Sequence, residues 1–98
     1  MTNKENLGSW LSLYRESLKD YKLIQSVITS NIISTKAAYD MGEYEFARKF
    51  KYNRVNLNYK LKVIESNLKN CKASIKRYGR LYSIECEMAA NKKDNGFK

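Results

Sequence analysis

The chain has 98 residues, with no proline, no histidine and two cysteines, and its 19 lysines and arginines outweigh 10 acids to give a formal charge of +9. This length is enough for one small domain, so we expect residues 1–98 to form a single helical domain. Histidine is the commonest general base and metal ligand, and the sequence also lacks paired zinc-type cysteines and a phosphate-binding glycine loop. The composition therefore argues against an enzyme, a cofactor, a metal and a small-molecule substrate.

The first predicted element is a long helix over about residues 7–40. Residues recur there at alternating steps of four and three, the period of a helix that packs against another helix. The repeat consists of Leu7, Leu11, Tyr14, Leu18, Tyr21, Gln25, Ile28, Ile32, Thr35 and Tyr39. Ser9 is a candidate N-cap for this helix. Apolar residues also lie off the repeat at Trp10, Leu13, Leu23, Ile24, Val27 and Ile33. They widen the apolar face beyond what one partner helix covers.

A turn over about residues 41–43 follows, since Gly42 comes just after the repeat. Glycine at this place suits a helix C-cap, where the backbone adopts a left-handed conformation. The surrounding segment resembles the turn between the two helices of a tetratricopeptide repeat. The matching residues are Ala38, Tyr39, Gly42, Tyr44 and Ala47. The resemblance covers about ten residues and implies a helix-turn-helix break at Gly42; it implies no peptide-binding function, because no second copy of the repeat occurs.

The second predicted element is a helix over about residues 44–90, followed by a frayed tail over residues 91–98. Its heptad repeat is broken only by Arg54 and Glu85. The full series reads Ala47, Phe50, Arg54, Leu57, Leu61, Ile64, Leu68, Cys71, Ile75, Tyr78, Tyr82, Glu85 and Ala89. A break at Gly79 that starts a short third helix is one alternative. An α+β fold is another, because apolar and polar residues alternate between Val55 and Val63 as in a strand.

Together these elements predict an all-α protein, built as a long antiparallel, coiled-coil-like hairpin of two helices. A lone hairpin of this size buries little apolar surface. We therefore expect a homodimer in which two hairpins form a four-helix bundle, with a folded-back third helix as the alternative.

The two cysteines predict a cytoplasmic protein. In a helical chain without further cysteines they are typical of free thiols in a reducing compartment, and Cys71 lies within the heptad repeat as a small core residue. The N-terminus is polar, and no apolar stretch approaches the roughly 20 residues of a membrane span. We expect neither a signal peptide nor a stable association with a membrane.

The charge is concentrated on the second helix, where eleven basic residues and only one acid, Glu65, lie between Phe46 and Ile84. Many of these residues fall on one stripe beside the heptad seam. The predicted nucleic-acid-binding residues are Arg48, Lys51, Tyr52, Tyr59, Lys62, Lys69, Lys72, Lys76 and Arg80. The first helix adds Arg15, Lys19, Lys22 and Lys36 beside its own repeat.

This basic stripe predicts a small accessory factor that binds nucleic acid, since lysines attract phosphates and tyrosines can stack on unpaired bases. We expect Tyr52 and Tyr59 to pack or snorkel rather than to stack. The richness in lysine, asparagine, isoleucine and tyrosine is typical of an AT-rich coding sequence, which suits a phage or mobile element. The alternative function is a protein-binding inhibitor, adaptor or assembly module that docks on an acidic protein, and a basic amphipathic helix lying on an anionic membrane is a distant third. A stripe that is only a solvated surface is the interpretation without a function.

Overall fold

The computed structural model describes residues 1–95, and their side chains as far as Asn91. It contains two helices, α1 (Asn3–Asp40) and α2 (Tyr44–Asn95). The all-α helical hairpin expected from the sequence is confirmed, and across residues 1–95 no β-strand is present. The α+β alternative is therefore wrong, because the alternating segment from Val55 to Val63 lies inside α2.

Gly42 ends α1 as the sequence predicts. Its φ of 75° lies in the left-handed region, and no other described residue has a φ of this kind. The amide of Gly42 donates to the carbonyl of Tyr39 at 3.0 Å, and the amide of Glu43 donates to the carbonyl of Ala38 at 2.8 Å. This pair of hydrogen bonds is a Schellman motif, which satisfies the last carbonyls of α1 while it reverses the chain.

The N-terminus of α1 differs from the sequence prediction. The helix begins at Asn3, and its N-cap is Thr2, whose Oγ1 accepts a hydrogen bond from the amide of Glu5 at 3.1 Å. A threonine hydroxyl in this place satisfies one of the free amides of the first turn. Ser9, the expected N-cap, instead lies within α1 and is exposed.

Helix α2 passes through Gly79 without a break and ends at Asn95, so the alternative of a third helix after Gly79 is not adopted. A Cβ built on Gly79 would lie 4.0 Å from Cδ1 of Leu7, an ordinary van der Waals distance. Residues 91–95, which the sequence analysis placed in a tail, are helical. The rest of that predicted tail, residues 96–98, lies outside the described residues.

The hairpin divides into two compact units, and the expectation of one domain stays a prediction. The turn unit spans Glu16–Leu68, and the end unit combines residues 1–15 with the part of α2 that follows Leu68. In the turn unit, the hydroxyl of Tyr21 donates to Glu65 at 3.4 Å. In the end unit, the side-chain amide of Asn3 donates to Glu85. Further along α1, Asn31 meets Phe50 in the turn unit and Leu7 lies beside Gly79 in the end unit. Within each unit, later residues of α1 therefore meet earlier residues of α2, so the helices are antiparallel.

The seam of α2 follows the predicted repeat from Ala47 to Tyr82, beyond which Glu85 and Ala89 are exposed. The seam of α1 is shifted by one residue at three predicted positions in its second half. Leu7, Tyr14, Tyr21, Ile28 and Thr35 belong to the seam as expected, and all are buried or half-buried. At the other position the inward residue precedes the predicted one: Ile24 replaces Gln25, Asn31 replaces Ile32, and Ala38 replaces Tyr39. Ile32 is 48% exposed and Tyr39 is 38% exposed, so both belong to the flank of the seam.

The core between the helices is thin. Among the described residues, the buried hydrophobic side chains are Ala38, Ala47 and Cys71, and the buried polar ones are Ser17 and Thr35. The larger seam residues, such as Leu57 and Leu61, are only half-buried. Two helices alone therefore leave much of their apolar surface in water, as expected for a small hairpin.

Candidate nucleic-acid interface

The observed register defines two sides of the hairpin. With Leu7 and Ala47 at position a of their helices, positions d of α1 and α2 complete the seam. Antiparallel helices bring their e positions together along one flank and their g positions along the other. We call the flank of positions e and b the basic side, and the flank of positions c and g the neutral side.

Contacts in the turn unit confirm that the e positions of both helices share one flank. The ammonium group of Lys51 lies 5.0 Å from the ring centroid of Tyr39, and both residues occupy position e. Gln25 and Asn58, also at position e, line the same open groove. This groove has a volume of about 660 Å³ and is lined by Lys22, Gln25, Ser26, Ile28, Thr29, Asn58 and Leu61.

The basic side of the turn unit carries five cations and one acid. All five cations are exposed, and they are Lys22, Lys36, Arg48, Lys51 and Lys62. The one acid, Glu65, accepts the hydrogen bond from Tyr21, so this surface is cationic with a single carboxylate. Three of the predicted site residues, Arg48, Lys51 and Lys62, lie together here.

Tyr52 and Tyr59 border this surface on the outer face of α2 and are 72% and 70% exposed. Neither ring packs in the seam, which lies on another face of the helix, and the expectation that the rings snorkel rather than stack stays a prediction. Tyr52 lines a shallow depression of about 410 Å³ with Arg48, Lys49 and Asn53. Exposed aromatic rings beside cations can stack on unpaired bases.

The end unit repeats the pattern without an acid. Among its described side chains, the cations at positions e and b are Lys4, Arg15, Lys69, Lys72 and Lys76. All are exposed, and so is Arg80 at the adjoining position f. The remaining predicted site residues therefore project into solvent from one face of α2 rather than into the seam.

Sequence reasoning missed the groove. Gln25 was assigned to the seam, whereas in the structure it lies at position e opposite Asn58 and opens a polar hollow beside Lys22. The signal was present in the sequence, because polar residues occupy the neighbouring positions e, f and b of α1 at Gln25, Ser26 and Thr29. Side chains of this size cannot fill the flank of a helix pair as leucine does.

The chain's other chemistry is sparse within the described part. No group of three or more cysteines and carboxylates is close enough to hold a metal ion among these residues. Cys71 is buried and Cys86 is exposed, and both are free thiols. Neither α1 nor α2, over the residues described, is long and apolar enough to cross a membrane.

Comparison with known proteins gives no relative from which to infer a role. No family model matches the chain, and no match is found among the curated proteins or the solved structures. The functional argument therefore rests on the surface of the hairpin.

Proposed function

We propose that this protein is a non-enzymatic accessory factor that binds nucleic acid along the basic side of the hairpin. The observation that supports this most strongly is the separation of charge in the turn unit. Five exposed cations share one flank with a single acid, and that acid already accepts a hydrogen bond from Tyr21. Such a surface attracts polyanions and releases their condensed counterions on binding.

The residue types on the basic side favour binding to the phosphate backbone of a nucleic acid over recognition of a base sequence. Lysines dominate the basic side, and a lysine ammonium group acts as a point charge, whereas arginine supplies the planar fork that reads guanine or grips phosphate with two bonds. We therefore propose affinity that depends little on sequence.

The exposed tyrosines favour single strands over duplex. Tyr52 and Tyr59 lie one heptad apart on α2, about 10 Å at 1.5 Å per residue, and both rings are more than two-thirds exposed. Unpaired bases can stack on such rings, whereas bases inside a duplex cannot. The groove between Gln25 and Asn58 adds amide groups and a lysine within the same flank.

The first test compares two triple variants in fluorescence anisotropy with labelled single-stranded and duplex DNA and RNA at about 50 mM salt. Lys69, Lys72 and Lys76, all changed to glutamine, remove three charges from the basic side of the end unit. The control changes Lys49, Lys60 and Arg77 to glutamine, which removes three exposed charges from the neutral side. We expect the first variant to weaken binding at least about tenfold more than the control, because only its cations meet phosphates.

Circular dichroism should show that both triple variants keep their helicity, since isolated surface charges contribute little to stability. Equal losses of affinity in the two variants would show that net charge rather than the basic side attracts the nucleic acid. Undetectable binding of the wild-type protein to every one of the four probes would rule out the proposed function.

The tyrosines are tested by Tyr52→Ala and Tyr59→Ala with the same probes. A stacked base contributes about 1–3 kcal/mol, so each variant should lose affinity for single strands and keep its affinity for duplex. Equal losses on both forms would assign the rings a packing role instead.

A second candidate is docking on an acidic protein. Exposed apolar residues lie among the cations of the turn unit: Ile32 is 48% exposed, Ile33 is 64% exposed and Val55 is 66% exposed. An acidic amphipathic helix would match such a mixed surface. Its signature would be the absence of nucleic-acid binding in the assay above, together with loss of a captured acidic partner on Val55→Asp.

A further inference from the structure

The neutral side of the turn unit exposes apolar surface that the hairpin leaves uncovered. Leu23 is 63% exposed, Val27 is 43% exposed and Val63 is 44% exposed. These residues occupy positions c and g, and the antiparallel pairing of Tyr21 with Glu65 places Leu23 and Val63 at the same height along the hairpin. Both helices therefore contribute exposed apolar side chains to the neutral side at this level of the hairpin.

The charges around these apolar residues differ from those of the basic side. Within the turn unit, the charged residues at positions c and g are Glu16, Asp20, Lys49 and Lys60. Their net charge is zero, with the acids on α1 and the lysines on α2. The basic side of the same unit has five cations against one acid, a net charge of +4.

This difference in charge between the two sides indicates what binds to the neutral side. Two copies that met through their basic sides would repel each other, whereas two neutral sides bring no net charge together and offer acids and lysines to each other. The seam also needs more cover, because large side chains such as Leu57 and Leu61 are only half-buried in a single hairpin. A second copy of the chain is always present wherever the protein is.

We infer that the neutral side of the turn unit is a homodimer interface that pairs two hairpins into a four-helix bundle. Leu23, Val27 and Val63 lie at its centre, and the two basic sides face outward. The interface uses the opposite flank and forms without nucleic acid, so its test is separate from that of the proposed function. Because Lys49 and Lys60 of the control variant above lie on this side, the two triple variants are compared after sedimentation has shown that they have the same mass.

The experiment is sedimentation equilibrium of the protein alone, over about 1–100 µM, with a pair of matched variants. Leu23→Asp and Ile33→Asp each place a carboxylate on α1 at a residue of nearly equal exposure, 63% and 64%. Leu23 lies on the neutral side at position c, whereas Ile33 lies outside it, on the outer face of α1 at position f. The wild type and Ile33→Asp should sediment at about 23 kDa, twice the 11.5 kDa of one chain. Leu23→Asp should raise the dimer dissociation constant at least about tenfold, equivalent to about 1.4 kcal/mol.

A second pair of milder substitutions can still test the interface if the Leu23→Asp variant does not fold. Leu23→Ala and Ile33→Ala both favour helix, and only the first removes a side chain from the interface. The midpoint of thermal unfolding should rise with protein concentration for the wild type, and Leu23→Ala alone should lower this midpoint at a fixed concentration. A wild-type protein that stays a folded monomer to 100 µM, or equal effects of the two substitutions in either pair, would overturn the inference.

Discussion

At the scale of single residues, Gly42 decides where the chain reverses. Its φ of 75° is strained for any residue with a Cβ, by about 1–2 kcal/mol. A Cβ at this position would meet no other atom within 4 Å, so the penalty for a substitution is conformational and not steric. Gly8 offers the opposite case, because it lies inside α1 with a helical backbone and equally open surroundings.

Gly42→Ala and Gly8→Ala should therefore change stability in opposite directions. We expect Gly42→Ala to cost about 1 kcal/mol, because alanine resists the left-handed conformation. Gly8→Ala should add up to about 1 kcal/mol, because alanine has the higher helix propensity. Thermal unfolding followed by circular dichroism measures both, and a shift of the same sign in the two variants would contradict this account of the turn.

At the scale of elements, the sequence predicts both helices and the turn but not the full register of α1. The repeat of α2 is unambiguous from Leu57 to Ile75, since its leucines and isoleucines recur there at only one set of positions. In α1, apolar residues occupy adjacent positions, as at Trp10 and Leu11, so steps of four and three fit as well as steps of three and four. The partner helix settles the choice: near the tight turn the small Ala38 is buried and the bulky Tyr39 lies on the flank.

The same ambiguity explains which parts of the candidate site were predictable. The cations and tyrosines of α2 follow from a register that the sequence fixes alone, and the structure places them on an exposed face. The groove exists because Gln25 lies outside the seam of α1, and the position of Gln25 depends on how the two helices pack. The side-chain amide of Asn31 illustrates the point, since it turns inward and donates to the carbonyl of Phe50 at 2.9 Å.

Substitutions in the seam of α2 test this register. Leu61→Asp and Leu68→Asp each place a carboxylate at a half-buried position a, and each should destabilise the fold by at least about 2 kcal/mol. Val55→Asp is the control on the same helix, because Val55 is 66% exposed and lies off the seam. Helicity and melting like those of the wild type in both leucine variants would mean that the seam is misplaced.

At the scale of the whole molecule, the two flanks of the turn unit suit different partners. The basic side concentrates charge and is bordered by the exposed Tyr52 and Tyr59, which suits a phosphate backbone with unpaired bases. The neutral side exposes Leu23, Val27 and Val63 among balanced charges, which suits a second copy. Because the flanks point away from each other, both partners can bind at once, and the dimer would carry two basic surfaces.

The central claim is that lysines on the basic side neutralise phosphates, and the salt dependence of binding measures this directly. Six cations occupy positions b and e of α2 in its described part: Arg48, Lys51, Lys62, Lys69, Lys72 and Lys76. If each meets about one phosphate, a plot of log affinity against log salt should have a slope of roughly −4 for single strands or −5 for duplex. Glutamine at Lys69, Lys72 and Lys76 should flatten this slope by about two to three, and glutamine at Lys49, Lys60 and Arg77 should leave it unchanged. A wild-type slope near zero, or the same flattening in both variants, would contradict the account.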